Sequence, residues 1–340
     1  MDFTFTDDQE QLRRAVRQLG REAGGDDSSE EALWRTVTQQ LGLTGIGIDP
    51  ERGGAGGDFV DAAVVIEEAG RTLLPAPVTT VLVAAAVLGR SGLGRTGQAA
   101  AELASQVATG ERIAVVAVGA PQGTIDNVLD GDRADAFLVA ADDGLWLVDA
   151  WSDAVVVRRQ PTLDLSRGQA QLVLGHVPAV RIGDANAAGV ALDLLRVALS
   201  VEAVGAARHC LDATVAYLKT REQFGRPIGS FQALQHRAAD LVVELEAATS
   251  TAYYAAWAAD RSPKELAVVA PLALALCAEA AWHVAAETIQ MHGGIGFTWE
   301  HEAHRYFKRL TTTRAMLGGA HVQRRLVAER AAIAPGSSVR

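Results

Sequence analysis

The strongest constraint on the fold is the stretch 184–220, DANAAGVALDLLRVALSVEAVGAARHCLDATVAYLKT, which keeps a helical period throughout and contains no proline. Its apolar residues recur at three- and four-residue spacing, as a helix buried in a core requires. A helix of this length cannot cover its own faces and needs partners of similar length. The chain supplies them in FQALQHRAADLVVELEAATSTAYYAAWAAD, in PKELAVVAPLALALCAEAAWHVAAETIQMH and in a final helical run from about 300 to 332. The four runs predict a C-terminal four-helix bundle over 182–335.

Upstream the texture changes twice. Between 112 and 181 the chain breaks into short Val- and Leu-rich pieces, IAVVAV, ADAFLVA, GLWLVDA, DAVVVRR and QAQLVLG, separated by turn residues such as Asp142-Asp143-Gly144. This predicts a small antiparallel β domain. Residues 1–111 are helical again. Thr6 with Gln9 forms a capping-box pattern that opens the first helix. The loop GGDDSSE precedes a second helix, EALWRTVTQQLGL, and the glycine-rich turn IDPERGGAGGD precedes a third, DFVDAAVVIEEAGRTL. Two further helices are expected near 78–92 and 95–109. The fold class is therefore mostly α with a small middle β domain, and the tail APGSSVR is expected to fray.

A net charge of −10, with both signs interspersed, argues against a nucleic-acid or anionic-membrane partner. Cys210 and Cys277 lie in apolar helical runs, form no CxxC pair and read as buried free thiols. The acidic start MDFTFTDDQEQ is no secretory signal, and the apolar runs carry Glu and His, as buried bundle helices do. A cytoplasmic protein is expected.

Three stretches could carry chemistry. In REQFGRPIGSFQALQHRAAD, Gly225 and Pro227 break the long helix, and Ser230 is a candidate N-cap for the next one. Arg221 sits at the break, where its guanidinium could grip a diphosphate as a fork or simply compensate the helix dipole. In QMHGGIGF, Gly293 and Gly294 end another helix and either admit a ligand close to the backbone or serve as a plain C-cap. In WEHEAH, His301 and His304 lack a metal-site spacing such as HExxH, and a solvated helix start accounts for them.

The first two stretches together, YLKTREQFGRPIGSFQALQHRAAD followed by IQMHGGIGFTWEHEAHRYFKR, resemble the acyl-CoA dehydrogenases. The resemblance covers nearly the whole chain, since MDFTFTDDQEQLRRAVR and IEEAGRTL are similar to the family's opening helices. It implies FAD, an acyl-CoA substrate, an electron-transfer acceptor and a tetramer built from two dimers. It also implies flavin contacts from Arg221, Phe224, Gln232, Gln290, Gly293 and Gly294. In the family a carboxylate removes the α-proton of the thioester while the β-hydrogen leaves as hydride to the flavin.

The departures from the family pattern are equally specific. The family's TExGAGSD segment corresponds here to AVVAVGAPQGTIDNV, in which only Gly119 and Gly123 remain. No WIT-like strand is recognisable, and the β section is short. The two positions at which family members carry the base hold Leu317 and Leu195. Asp193 and Glu202 lie nearby in sequence but on other helix faces, so only a register shift would let Asp193 substitute. The missing elements are those that serve a subunit's own flavin, whereas the retained ones reach a neighbour's flavin across the dimer. The resemblance thus implies the base-lacking subunit of an α2β2 heteromer with a related larger subunit, of the kind linked to bulky steroid-type substrates. The alternatives are a complete homo-oligomer with an unusual base, and a non-enzymatic CoA-ester-binding scaffold.

Overall fold

The computed structural model describes residues 4–23, 30–90 and 97–333. Residues 24–29 of the expected loop, residues 91–96 and the tail APGSSVR lie outside them. The chain opens with α1 (Asp7–Ala23), where the Thr6 amide donates to Gln9 Oε1 at 3.1 Å and the Gln9 amide donates to Thr6 Oγ1 at 3.2 Å. This is the reciprocal capping box expected from the sequence. After α2 (Glu30–Arg35), the glycine-rich turn bends through the left-handed residues Gly53, Gly56 and Gly57. Asp58 then caps α3 (Phe59–Thr72), its carboxylate accepting from the Val60 and Asp61 amides. α4 (Val78–Gly89) and α5 (Gln98–Ala108) complete the helical N-terminal part.

Seven strands follow: β1 (Ala114–Val118), β2 (Gly123–Leu129), β3 (Ala136–Ala141), β4 (Gly144–Asp149), β5 (Val155–Arg159), β6 (Gln169–Leu174) and β7 (Val180–Gly183). They form a four-stranded sheet, β1-β3-β4-β7, and a three-stranded sheet, β2-β6-β5. The expectation of a purely antiparallel unit is corrected at one place, because β1 pairs parallel with β3. The chain leaves β1 for the second sheet and returns to β3, so the two strands run in the same direction. A bulge at Asp126-Asn127, with Asn127 at φ 59°, shifts the register of β2 against β6. Val115, Phe137, Val148 and Leu172 fill the space between the sheets.

The bundle begins with α6 (Ala185–Thr220), whose 36 residues span ~54 Å. It is capped by Asp184, which accepts from the Ala187 amide at 2.9 Å. It packs against α3, α4 and the sheet as well as the bundle, which explains why its apolar residues cover more than one face. Where α3 crosses it, a Cβ on Gly205 would lie 1.8 Å from the Glu67 carbonyl oxygen, and one on Gly70 would lie 2.2 Å from that of Glu202. Glycine at both positions is what lets the two backbones approach.

A short hairpin, β8 (Glu222–Gln223) and β9 (Arg226–Pro227), leads to α7 (Gln232–Arg261) and α8 (Pro263–His292). Pro263–Phe297 is long and apolar enough to cross a membrane, but it packs against α6, α7 and α10 inside the bundle. The final run is not one helix. It divides into α9 (Ala303–Ala315) and α10 (Gly319–Arg330), because Leu317, Gly318 and Gly319 all have positive φ. Cys210 and Cys277 are buried and unbridged, and burial pushes the Cys277 thiol up to about 12.

Candidate functional site

The parallel helices α6 and α8 end side by side at one end of the bundle. There the Tyr217 ring stacks on His292 at 4.5 Å, and His292 in turn meets His301 at 4.4 Å. His292 Nδ1 donates to the Thr288 carbonyl at 2.7 Å, and burial pushes its pKa down. This stack fastens the QMHGG turn to the end of α6. It therefore brings together two motifs some seventy residues apart in sequence.

At the first motif, Arg221 leaves the helix in an extended conformation while its amide still donates to the Tyr217 carbonyl at 2.9 Å. The hairpin then turns on Phe224 (φ 57°) and Gly225 (φ 75°), with Gln223 opposite Arg226. Phe224 is 91% exposed, and its ring meets Phe231 edge-on. The Arg226 guanidinium covers Phe231 at 4.1 Å. Arg221 and Gln232 are exposed, and among the described residues their side chains have no hydrogen-bond or ion-pair partner. Ser230 does not cap α7 as the sequence suggests. Its hydroxyl turns back to the Pro227 carbonyl at 2.7 Å, and Phe231 takes the N-cap position without a side-chain bond. At the second motif Gln290 is exposed, Gly293 ends α8 at φ 63°, and a Cβ on Gly293 or Gly294 would meet open space. All six residues named from the sequence thus face outward at one bundle end.

The two leucines at the base positions also converge. Leu195 of α6 and Leu317, at the break between α9 and α10, line one cleft of about 380 Å³ between the β domain and the bundle. The Leu317 turn is fixed from behind. Gln323 Nε2 donates to the Leu317 carbonyl at 2.6 Å, and Gln323 Oε1 accepts from Arg196 Nε at 2.9 Å. Arg196 in turn pairs with Asp193 at 2.7 Å, and Arg330 reaches the same carboxylate at 2.8 Å. Asp193 is therefore held by two guanidinium groups and does not line the cleft, which removes the register-shift substitution. The only carboxylate lining the cleft is Asp126, whose Oδ1 accepts from Gln171 at 2.8 Å and from Gln160 at 3.2 Å.

Glu202 lies in a buried charge cluster that joins all three parts of the chain. It receives Arg167 Nη1 at 2.6 Å, Arg309 Nη1 at 3.1 Å and the Thr79 hydroxyl at 2.9 Å. Arg309 also binds Asp164 at 2.6 Å, and Thr80 donates to Asp130 at 2.8 Å. Burial opposes ionisation of Glu202 and Asp164, but the two arginines outweigh it and hold both carboxyls below their usual range. For Asp130 burial wins, against the Thr80 hydrogen bond and the arginines, and raises its pKa to about 6. Sequence reading missed this cluster, as it missed Asp126 and the cleft residue Gln169. Among the described residues no three His, Cys, Asp or Glu side chains gather as a metal site, and the His304 ring meets Trp299 edge-on.

The fold is thus two helical parts around a small β domain, with glycine turns at the bundle end beside an arginine whose side chain is unpaired among the described residues. The model of the acyl-CoA dehydrogenase N-terminal domain matches residues 6–104, and that of the C-terminal domain matches 185–332. The chain belongs to the acyl-CoA dehydrogenase family, which is FAD-dependent. It is 40% identical over 299 residues to acyl-CoA dehydrogenase IpdE2 of Mycolicibacterium smegmatis, a match covering 87% of each protein. It is 36% identical to acyl-CoA dehydrogenase FadE34 of Mycobacterium tuberculosis, covering 94% of this chain but only 47% of that protein. Among solved structures it is similar to a variant of the Tcur3481-Tcur3483 steroid ACAD, with a TM-score of 0.86 and 30% identity, covering 96% of this chain and 98% of the other. It is also similar to the ChsE4-ChsE5 complex of Mycobacterium tuberculosis, with a TM-score of 0.84 and 27% identity, covering 98% and 100%.

The bundle end and the cleft differ in their fit to FAD. The bundle end offers an unpaired guanidinium and open glycine backbone, which suit a diphosphate. The cleft offers no cation among its lining residues, and its one charged side chain is an anion. A flavin diphosphate does not fit there.

Proposed function

We propose that this chain is the base-lacking subunit of a heteromeric acyl-CoA dehydrogenase, and that it completes the FAD site of a related, larger subunit. Arg221 binds phosphate oxygens, Gln232 and Gln290 donate amide hydrogen bonds, Gly293 and Gly294 let the ligand reach the backbone, and Phe224 covers an apolar ring edge. The flavin accepts the hydride when bound. This chain binds and orients it, and the α-proton is removed by a carboxylate of the partner. The assembly is α2β2, soluble and cytoplasmic. Its substrate is an acyl-CoA, and it works with a separate electron-transfer acceptor.

The observation that carries this reading is the convergence of Leu195 and Leu317 on one cleft whose lining holds no unengaged carboxylate. A leucine cannot take a proton. Two further points support it. Two of the similar structures are of paired proteins, Tcur3481-Tcur3483 and ChsE4-ChsE5. FadE34 is about twice the length of the region this chain matches, which leaves room for a second unit of similar size in one polypeptide.

The test is to purify the chain alone and co-expressed with a larger family member that carries the base, and to count flavins per chain. The expected result is a colourless chain alone and a complex with one flavin per pair. A chain that purifies alone with stoichiometric flavin and dehydrogenates an acyl-CoA overturns the proposal.

A further inference from the structure

The QMHGG turn is held by two imidazoles whose protons are already placed. His292 Nδ1 donates to the Thr288 carbonyl at 2.7 Å, so Nε2 of the neutral ring is a lone pair. His301 Nδ1 accepts from the Ala303 amide at 3.1 Å, so the one proton of that ring is on Nε2. Ala303 opens α9, and its amide is among those that no carbonyl within the helix can reach. Behind His292 the chain folds back on α8, where a Cβ on Gly296 would lie 2.9 Å from the His292 Cβ. Gly293 and Gly294 lie between the two rings in sequence, so a change at either ring is passed to them.

A further proton can enter only at His292 Nε2 or at His301 Nδ1. The first puts a charge on a ring that is 4% exposed, with a second imidazole at 4.4 Å. The second replaces the acceptor facing the Ala303 amide by a donor, and sets a cation at the N-terminus of α9, against its dipole. The groups around the pair do not compensate. α6 presents the uncharged Tyr217 ring, and α8 presents the Thr288 carbonyl. Glu302, whose carboxyl feels His301, is already bonded to His209 Nε2 of α6 at 2.6 Å and has Arg305 beside it. His304 and Lys308 of α9 both pack on Trp299. Burial first, then His301, pushes the His292 pKa below its ordinary value of 6.5, against the Thr288 bond. The folded chain therefore takes up a proton here less readily than the unfolded one. The contribution to stability is complete above about 6.5 and is lost as pH falls.

We infer that the contact between His292 and His301 is an acid-sensitive latch, which holds the Gly293-Gly294 turn against α6 while both rings are neutral and releases it when a proton enters. Tyr217, His292 and His301 are positioning residues that act through the two glycines. The latch stands on the geometry of this chain alone. Its consequence for flavin, a weaker grip in mild acid, rests on the reading given above.

The test is hydrogen exchange of the full-length chain by mass spectrometry from pH 7.5 to 5, corrected for the intrinsic pH dependence of exchange. Protection of amides 291–298 should fall about tenfold over that range, as one linked proton allows, while the middle of α8 keeps its protection. His292→Asn keeps a donor for the Thr288 carbonyl, His301→Asn keeps an acceptor for the Ala303 amide, and neither takes a proton. Each should reduce the acid loss, and the double variant should abolish it. Tyr217→Phe, which keeps the ring, should respond as the native chain does, and Tyr217→Ala should loosen the turn at every pH. Should a variant fail to fold, NMR of the histidine ring carbons in the native chain decides, because His292 and His301 must titrate over the interval in which protection is lost. Protection that ignores pH, an acid loss that survives in the double variant, or ring titration displaced from the loss each overturns the latch. In the co-purified complex, flavin retention should follow the same pH profile. A latch present in the chain alone with flavin retention that ignores it overturns only the flavin role of the turn, so the two failures are distinguishable.

Discussion

Arginines at two places in this molecule have opposite surroundings. At the three-part junction Arg167 and Arg309 are buried, and between them they engage Glu202, Asp164, Ser166 and Thr313. At the bundle end Arg221 is exposed, and among the described residues its side chain has no hydrogen-bond or ion-pair partner. The first arrangement holds three parts of one polypeptide in register. The second is a charge whose hydrogen-bonding capacity the fold leaves unused, beside two glycines with open space where a side chain would be. The difference separates charge that shapes the molecule from charge that is available to a ligand outside it. Substitutions at the two places should therefore report through different measurements.

The largest effect is expected at the junction. Glu202→Ala leaves Arg167 and Arg309 partly uncompensated in a buried site and should lower unfolding stability by about 3–5 kcal/mol. Urea unfolding of the isolated chain checks this. A loss below about 1 kcal/mol would break the contrast, because the buried charges would then be no more structural than the exposed one.

Asp130 sharpens the same side of the comparison through pH. Its folded pKa is raised to about 6, above the value of about 3.9 for a free carboxyl. Between those values the folded state binds more protons than the unfolded state, so this group makes stability fall as pH rises, with the full penalty present above about 6. Asp130→Asn keeps an acceptor for Thr80 and tolerates the left-handed backbone at φ 51°. The variant should gain on the native chain by about 2–3 kcal/mol across pH 4 to 6 and hold that gain at pH 7. Asp164 and Glu202 shift the other way, and their contributions are lost only as pH falls below the usual carboxylate range. A constant difference between the two proteins from pH 4 to 7 would contradict the assignment.

These contrasts explain what the sequence could disclose. The capping box at Thr6, the helix break at Gly225 and the stop at Gly293 were legible because each depends on residues within one turn of chain. The leucines at the two positions where the resemblance implies a base were legible, whereas their meeting in one cleft depends on the packing of α6 against the turn between α9 and α10. The parallel pairing of β1 with β3 was not legible, since it depends on how two sheets share one connection. The junction cluster was hidden for a similar reason: Thr79, the neighbouring Asp164 and Arg167, Glu202 and Arg309 come from four distant stretches of sequence, and each alone resembles a surface residue. Gln169 read as one polar residue in an alternating strand. The break at Leu317 had a visible signal in the Gly318-Gly319 pair that a continuous helical reading overrode. Ser230 carried the right cap chemistry, but its hydroxyl found the Pro227 carbonyl first.

At the bundle end the order of effects reverses. Arg221→Ala should change the unfolding stability of the isolated chain by no more than about 0.5 kcal/mol, because no intramolecular partner is lost. In the co-purified complex the same change should weaken flavin retention by about 1.5–3 kcal/mol, the worth of a hydrogen bond to a charged group. Flavin absorbance after gel filtration reads the second quantity. An unchanged flavin content with a destabilised chain would exchange the roles assigned to the two arginine sites.

The smallest effect on folding is expected at Phe224, yet it is informative because the ring is apolar. Removal of a side chain that is 91% exposed gives up little burial, so Phe224→Ala should leave unfolding within about 0.5 kcal/mol of native. A large apolar ring held out on a two-residue hairpin is costly to leave in water and is common where a second surface covers it. If the hairpin docks beside the partner's flavin, Phe224→Ala should raise the dissociation constant of the two subunits several-fold, measured by sedimentation with the native chain as control. Arg226→Ala, which only uncovers the neighbouring Phe231 ring, should move it less. Equal weakening by both variants would mean that the hairpin acts through its shape rather than through the exposed ring. The outward-facing end would then be a scaffold like the junction, and the contrast between the two would lose its basis.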